Sequence, residues 1–522
     1  MKKIFYSIIQ LLFALNLAAQ GRPYLEEITT SIEVSYDHIY GENATILYFP
    51  YYGEAIKEPL FFDLYKPVKD DPQCNGGLRP LIIYFHSGNF LPFPQNRNTV
   101  GTRTDSSVVT MCKRLAKTGY VVASADYRLG WDPVANSVDA RKLGLINAAY
   151  RGVQDANTCI RYFKKSVAED GNPFQIDTSR IILWGDDSGS YIALHAGCLD
   201  RYDKIPSASD GKFLLGGLLP MVLEYLNGDV EAKNFGVNTP QAAHLPFPAG
   251  DTLCYANYPE YSSEFRATVN LSGAVGDTAW IDPGQPPVIS VHTPNDLTTP
   301  CEEGIVYVHI PPDTYLEVVE VQGSCVISPM ENSYGNNACL NSLDPLSEFE
   351  QSVTEVANNR SGGVENLLLL LGDTITDGTP WNFWNTDGPE KNENSEIGLS
   401  TNPYMSREKA EKYMDTILAY VLPRLYQCMD LCITATNNPT DPNSIDIITY
   451  PNPAYQEVFI ATSKDHPMRK ISVYDMTGSL VSSYGAINFN YFHLPVEKLP
   501  PGQYVLKFQF DHSITSRQII VK

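Results

Sequence analysis

The residues with the clearest capacity for chemistry are Gly185-Asp186-Asp187-Ser188-Gly189, which follow directly on the apolar run RIILW. Glycines at both ends of such a frame permit a sharp strand-to-helix turn, because a Cβ at either end would collide with neighbouring backbone. The turn lifts its middle side chain above the sheet, and that residue is Asp187. Ser188 is one step further on; successive residues of a tight turn point in different directions, so it is not an equivalent nucleophile. A raised carboxylate can attack carbon and form an ester, provided that a histidine then activates the water that breaks it. The histidines are His38, His86, His195, His244, His292, His309, His466, His493 and His512, with none between His309 and His466. His195 falls eight residues beyond Asp187, about 12 Å of helical rise, and is expected to be packed away. His244 lies in a long connection from which it would have to fold back. No Cys/His spacing suits zinc, so neither a metal nor a cofactor is expected.

These residues need elements to position them. From Arg79 the chain alternates apolar runs with amphipathic stretches: PLIIYF, SSVVTMCKRLAK, YVVASADY, a helix near Ala149 to Lys165, then RIILW. Strand, helix and strand in this order predict a parallel sheet with crossover helices. RATVNLSG, PPVISVH and VENLLLLLG should continue it. A Pro/Gly/Tyr-rich connection near 205–264 is too long for an ordinary loop and reads as an insertion over the sheet. A helix from Ser406 to Gln427, interrupted at Pro423, should end the unit. Hydrophobic residues at 43% and charged residues at 19% exclude a collagen-like, coiled-coil or mostly disordered chain. A net charge of −22 repels phosphate backbones, so no nucleic-acid partner is expected.

Taken in order, IIYFHSGNF, ADYRLG, RGVQDANTCIRYF, RIILWGDDSGSYIALHAG, VNLSGAVGD and VISVHTPND resemble the α/β-hydrolase fold. Within it they resemble secreted carboxylesterases and feruloyl-esterase-like proteins, over roughly residues 30 to 430. The resemblance implies an α/β domain with a doubly wound, mostly parallel sheet. It assigns Asp187 the nucleophile position of G-x-S-x-G and Asp296, which ends VISVHTPND, the triad acid position. It assigns an oxyanion hole to Gly88 and Asn89 of His86-Ser87-Gly88-Asn89-Phe90, with the backbone of Ser188. The triad histidine should follow the last strand in LLLLLGDTITDGTPWNFW, where there is none. A carboxylate at Asp187 opposes the negative charge of an ester transition state. The preferred expectation is therefore a hydrolase fold without a working triad, kept as a binding or surface module. The alternatives are an active carboxylic-ester hydrolase, or a hydrolase that attacks through Asp187 as haloalkane dehalogenases and epoxide hydrolases do. An ester or a carbohydrate-linked molecule is the ligand these readings suggest. Tyr48, Phe49, Tyr51, Tyr52, Trp381 and Trp384 are candidates to stack on it, although packing is the commoner fate of such residues.

The two ends read differently. Residues 1–20 have Lys2 and Lys3, an apolar run and a small-residue exit at Ala18 and Ala19, as a secretory signal peptide does. No other stretch is long and apolar enough to span a bilayer. After a hydrolase-like domain at 21–432, the polar, proline-broken segment 433–446 reads as a linker. Residues 447–522 are short strands, EVFIAT, KISVYD, SLVSSY and GQYVLKFQF, and predict a small all-β sandwich. YPNPAYQEVFI, ISVYDMTGSLV, LPVEKLPPGQYVLKF and IIVK resemble the C-terminal sorting domain read by the type IX secretion machinery. That resemblance implies this machinery as a partner, and a protein that is secreted or held at the outer cell surface. Ten cysteines in the exported part favour some disulfides. The segment holding Cys325 and Cys339 is expected to be able to close on itself, and Cys159 and Cys198 to be free core thiols.

Overall fold

The computed structural model describes residues 22–68, 77–239, 247–310, 314–341, 343, 346–372, 378–386, 396–432, 447–450, 454–462, 467–475, 479–510 and 514–522. The signal segment, the linker 433–446 and His244 lie outside the described residues. The chain forms two compact units, Met1–Ile433 and Thr434–Lys522.

The first unit is built on one eight-stranded sheet. Its strands are β1 (Ile32–Thr45), β2 (Ile56–Pro67), β3 (Arg79–Phe85), β4 (Val121–Ala125), β5 (Ile176–Asp186), β6 (Ala267–Leu271) and β7 (Val288–His292). A hairpin, β8 (Glu303–Ile310) and β9 (Thr314–Gly323), stands apart before the last sheet strand, β10 (Leu367–Leu369). The order across the sheet is β1-β2-β4-β3-β5-β6-β7-β10. β1, β2 and β4 pair antiparallel, and every pairing from β4 to β10 is parallel. The parallel strands are apolar at nearly every position because both faces are covered, and β3, β4, β6 and β7 are buried throughout.

The two-residue period of the strands divides their side chains between two cores. Ile82, Ile182 and Val291 share a core with α1 (Ser106–Thr118), α5 (Glu348–Arg360) and the terminal helix α6 (Arg407–Cys428). Leu81, Ile83 and Leu183 face α2 (Val138–Glu169) and α3 (Ser188–Cys198). Parallel pairing in register then brings Phe85, Asp186 and Leu271 to one edge of the sheet, where side chains can converge.

Two expectations need correction. Pro423 does not interrupt α6, which runs unbroken to Cys428. The proline removes one backbone donor, but Leu422, Pro423, Arg424 and Leu425 are all buried against the unit, and packing outweighs the local preference. The segment of Cys325 and Cys339 does not close on itself either. Cys325, at the start of α4 (Ser324–Ser333), bonds to Cys301 at the foot of the hairpin, and Cys339 bonds to Cys428 at the end of α6. Cys112, Cys159, Cys198 and Cys254 are free and buried.

The second unit has a three-stranded antiparallel sheet of Ile447–Tyr450, Glu457–Thr462 and Tyr491–Pro495. Its other sheet has four antiparallel strands, Leu480–Phe489, Met468–Asp475, Gly502–Gln509 and Ile514–Val521. Val458, Ile460 and Leu494 from one sheet share a core with Ile471, Val473, Leu506 and Phe508 from the other.

Candidate active site

The turn from β5 into α3 sets the position of Asp187. Its backbone has φ 50° and ψ −112°, a region that costs a residue with a Cβ. Its N–H donates to the Leu271 carbonyl at 2.9 Å, which anchors the apex to β6. Both glycines of the frame are needed for close approach. A Cβ on Gly185 would stand 2.3 Å from the Gly189 oxygen, and one on Gly189 would stand 2.1 Å from the Phe85 oxygen. The structure thus has Asp187 at the apex, with Ser188 as the first residue of the helix.

Asp187 opens onto a cavity of about 340 Å³, within the size range of small-molecule sites. The walls include Trp131, Leu145, Ile146, Phe213, Val306 and Val319, brought by the loop after β4, α2, the insertion and the hairpin. The Asp187 side chain is only 8% exposed. Its Oδ1 receives the Thr299 hydroxyl at 3.4 Å. Burial, then the charges of Asp296 and Asp186, push its pKa up to about 8. Asp187 is therefore mainly protonated at neutral pH.

The sign of the linkage follows. An unfolded aspartate ionises near pH 3.8 while the native one retains its proton to about 8, so Asp187 lowers stability increasingly as pH rises through that window. Asp187→Asn is expected to stabilise the domain by about 1–3 kcal/mol at pH 7 and hardly at all at pH 4, as urea unfolding at the two pH values would reveal. An equal effect at both would mean that folding does not raise the pKa of the carboxyl.

The segment 86–90, expected to form an oxyanion hole, turns through left-handed backbone and uses the Asn89 N–H internally. Gly88 has φ 129°, and Asn89 and Phe90 have φ 57° and 56°. The Asn89 N–H donates to Ser188 Oγ at 3.1 Å, and that hydroxyl also bonds to the Tyr127 hydroxyl at 3.0 Å. Ser188 is thus turned away from Asp187 and into the oxyanion loop. Of the two amides expected to meet a substrate oxygen, that of Asn89 is engaged by Ser188 Oγ.

Asp296 Oδ1 accepts the Thr298 N–H at 2.8 Å, the Thr298 hydroxyl at 2.7 Å and the Thr299 N–H at 3.1 Å. Its Oδ2 is buried and has no hydrogen-bond partner among the described residues. Gly378 packs against this carboxylate: a Cβ there would lie 3.1 Å from Oδ1. The described histidines near the site are committed elsewhere. His195 donates from Nδ1 to the Tyr191 carbonyl at 2.6 Å, and its Nε2 accepts the Gly276 N–H at 2.9 Å. His292 lies between the Ser324 hydroxyl and the Thr299 carbonyl, and His86 Nδ1 bonds to the Ser87 carbonyl. Among the described residues no histidine hydrogen-bonds Asp187 or Asp296. No group of three or more potential metal ligands occurs among them either.

The candidate stacking residues separate. Trp381 and Trp384 are buried, and the Trp381 indole donates to Asp186 at 3.0 Å. Tyr51 and Tyr52 are exposed, while Phe49 packs edge-on against Phe247. Sequence reasoning passed over Asp186, Tyr127, Thr299 and the hairpin. The strand-like alternation in YLEVVEVQG was a readable signal for the hairpin, whereas nothing local marks Thr299 as a partner of Asp187.

Residues 62–214 match the BD-FAE family, and residues 448–522 match the secretion system C-terminal sorting domain. Among solved structures, esterase 2 of Thermogutta terrifontis phosphorylated by paraoxon is 19% identical. That match covers 52% of this chain and 74% of the esterase, with a TM-score of 0.28. The propionate-bound form of the same esterase is 15% identical, over 73% of this chain and 93% of that one, with a TM-score of 0.31. No curated protein matches. The chain combines an esterase-like α/β-hydrolase domain with a type IX sorting domain, and is secreted or displayed at the cell surface. No helix among the described residues is long and apolar enough to cross a membrane.

Proposed function

We propose that the exported hydrolase-fold domain holds a small, largely apolar molecule in the cavity above Asp187 and does not hydrolyse esters. The observation that carries this reading is the filled oxyanion loop: the Asn89 N–H is already bonded to Ser188 Oγ. A neutral carboxyl at the apex, with no histidine beside it among the described residues, supports it further. Ester hydrolysis needs donors aimed at the developing oxyanion and a base for the nucleophile; the Asn89 donor is taken, and no histidine among the described residues bonds to Asp187 to serve as the base. Hydrolysis of short acyl esters by the purified mature protein tests it, with a rate equal to the blank expected. Turnover that disappears in Asp187→Asn would instead establish the carboxylate-nucleophile hydrolase.

The sorting domain makes a separate prediction. Its strands share a core of their own, so removing residues 447–522 should leave the hydrolase-like unit folded. Cell fractionation should then find the truncated protein retained inside the cell envelope, where the full chain reaches the surface. Unchanged surface display would remove the delivery role from this segment.

A further inference from the structure

We propose that the cavity takes a single-chain anionic amphiphile, with its hydrocarbon chain along the apolar wall and its carboxylate at the outer end against Lys142. This rests on the reading of the cavity as a binding site, and it names the class of ligand. The cavity has a direction. Lys142, Leu145, Ile146 and Ala149 recur at the spacing of one helix face, so a single stripe of α2 forms part of the wall. Ala149 marks its inner end: a Cβ on Gly152, in the next turn, would meet Ile192 of α3 at 2.7 Å, and α3 is the helix that follows Asp187. Lys142 precedes Ala149 by two helical turns, about 10 Å of rise. The hairpin shows the same gradient. On β9, Val321 is 2% exposed and Val319 8%, whereas Tyr315 is 57% exposed, and all three line the cavity. Val134 and Leu297 join Tyr315 at the rim, at 57% and 58% exposed. Apolar side chains left in water around the mouth of an apolar cavity match a ligand whose hydrocarbon extends that far.

The charge at that rim is positive. Lys142 lines the cavity, is partly exposed, and makes no ion pair or hydrogen bond among the described residues. Asp139, three residues before it on α2, and Glu317, whose carbonyl accepts from the adjacent Arg141, are both exposed to water and do not pair with it. Arg97, from the loop after β3, lines the same cavity. Among the described lining residues Asp187 is the one acid. It stands at the inner end, and its raised pKa leaves it mainly uncharged at neutral pH, so it does not cancel these cations.

Three head groups can be compared on this framework. An ammonium meets like charge at the rim. A hydroxyl leaves Lys142 without a counter-ion. A carboxylate pairs with Lys142 and keeps part of its hydration, because the rim is open, while its chain gains burial along the wall. The head does not belong at the elbow, where an anion would lose its water and find the Asn89 donor taken. The net charge of −22 on the whole chain attracts cations, so a preference for the anion would have to come from this rim.

The test is titration calorimetry of the mature chain with octanoate, octylammonium and 1-octanol, each kept in monomeric solution. Octanoate is expected to bind at least about tenfold more tightly than octylammonium, and Lys142→Glu to reverse that order. Octylammonium binding as tightly as octanoate, or a preference for octanoate that survives Lys142→Glu, would overturn the proposal. So would binding to phosphatidylglycerol vesicles without binding of octanoate, which would point to a membrane surface instead. If the variant does not fold, the native ratio decides: it should shrink toward unity in about 1 M sodium chloride, and an unchanged ratio would overturn the pairing. Octanol separates this proposal from the reading beneath it. Octanol bound without octanoate leaves the cavity as an apolar binding site and removes only the anionic class, whereas failure of all three to bind removes both.

Discussion

Purified protein should leave p-nitrophenyl acetate and butyrate unhydrolysed above the blank, and Asp187→Ser should restore at most a trace of activity. The substitution supplies a hydroxyl in place of a neutral carboxyl, but a neutral serine without its base is a weak nucleophile. Where a serine triad has been dissected, losing the histidine costs about 10⁶ in kcat, nearly as much as losing all three members. Recovery should require a histidine in the loop from Gly372 to Phe383 as well. Gly378 is the position to choose, because its Cβ direction points at Asp296 from 3.1 Å, tight contact that a small shift of the carboxylate can relieve. The Asn89 amide remains occupied in that double variant, so Ser188→Ala should add a further factor of about 10² by freeing one donor. The order of rates to check is native, then Asp187→Ser, then Asp187→Ser with Gly378→His, and highest with Ser188→Ala added. Native turnover abolished by Ser188→Ala alone would show that the nucleophile register is displaced by one residue.

The second large effect concerns folding. Gly189→Ala should destabilise the domain by more than about 3 kcal/mol and sharply lower the yield of folded protein. Its added carbon would lie 2.1 Å from the Phe85 oxygen and 2.8 Å from the His86 oxygen, both backbone atoms of the central sheet and the oxyanion loop. Neither can withdraw without shifting β3, so the strain is not relieved by rotating a side chain. Gly197 in the same helix is the control. A Cβ there meets the Phe265 ring at an ordinary 3.5 Å, and Gly197→Ala should be neutral or stabilise by up to about 1 kcal/mol through helix propensity. Chemical denaturation of the two variants beside the native protein would distinguish them. A mild effect at Gly189 would mean that the turn is looser than its contacts imply.

Much of the architecture was legible because it rests on local patterns. The apolar runs of β3 to β7 and β10 alternate with helices in an order that admits few topologies. The strands of the sorting domain follow equally from short alternating segments between turns. The failures also have a common origin. Pro423 carries a local preference that burial overrode, and the partners of Cys325 and Cys339 lie 24 and 89 residues away in the chain. Cysteine spacing alone carries no information about which distant thiol the fold brings near.

The candidate site divides along the same line. The sequence by itself determined that an aspartate occupies the apex of the turn, because the glycine frame and the preceding strand act over five residues and leave only one register. It also determined that no histidine follows the last strand before His466. Only the tertiary structure decided what the apex can do. Ser188 Oγ and the Asn89 amide are 99 residues apart in sequence, and Thr299 is 112 residues from Asp187. The hairpin, tied at its foot by Cys301 and Cys325, supplies cavity wall that no motif near Asp187 announces. Backbone direction at a tight turn depends on adjacent residues, whereas the proton on Asp187 depends on removal from water and on the charges of Asp296 and Asp186, and the removal from water and the position of Asp296 exist only once the distant strands have assembled.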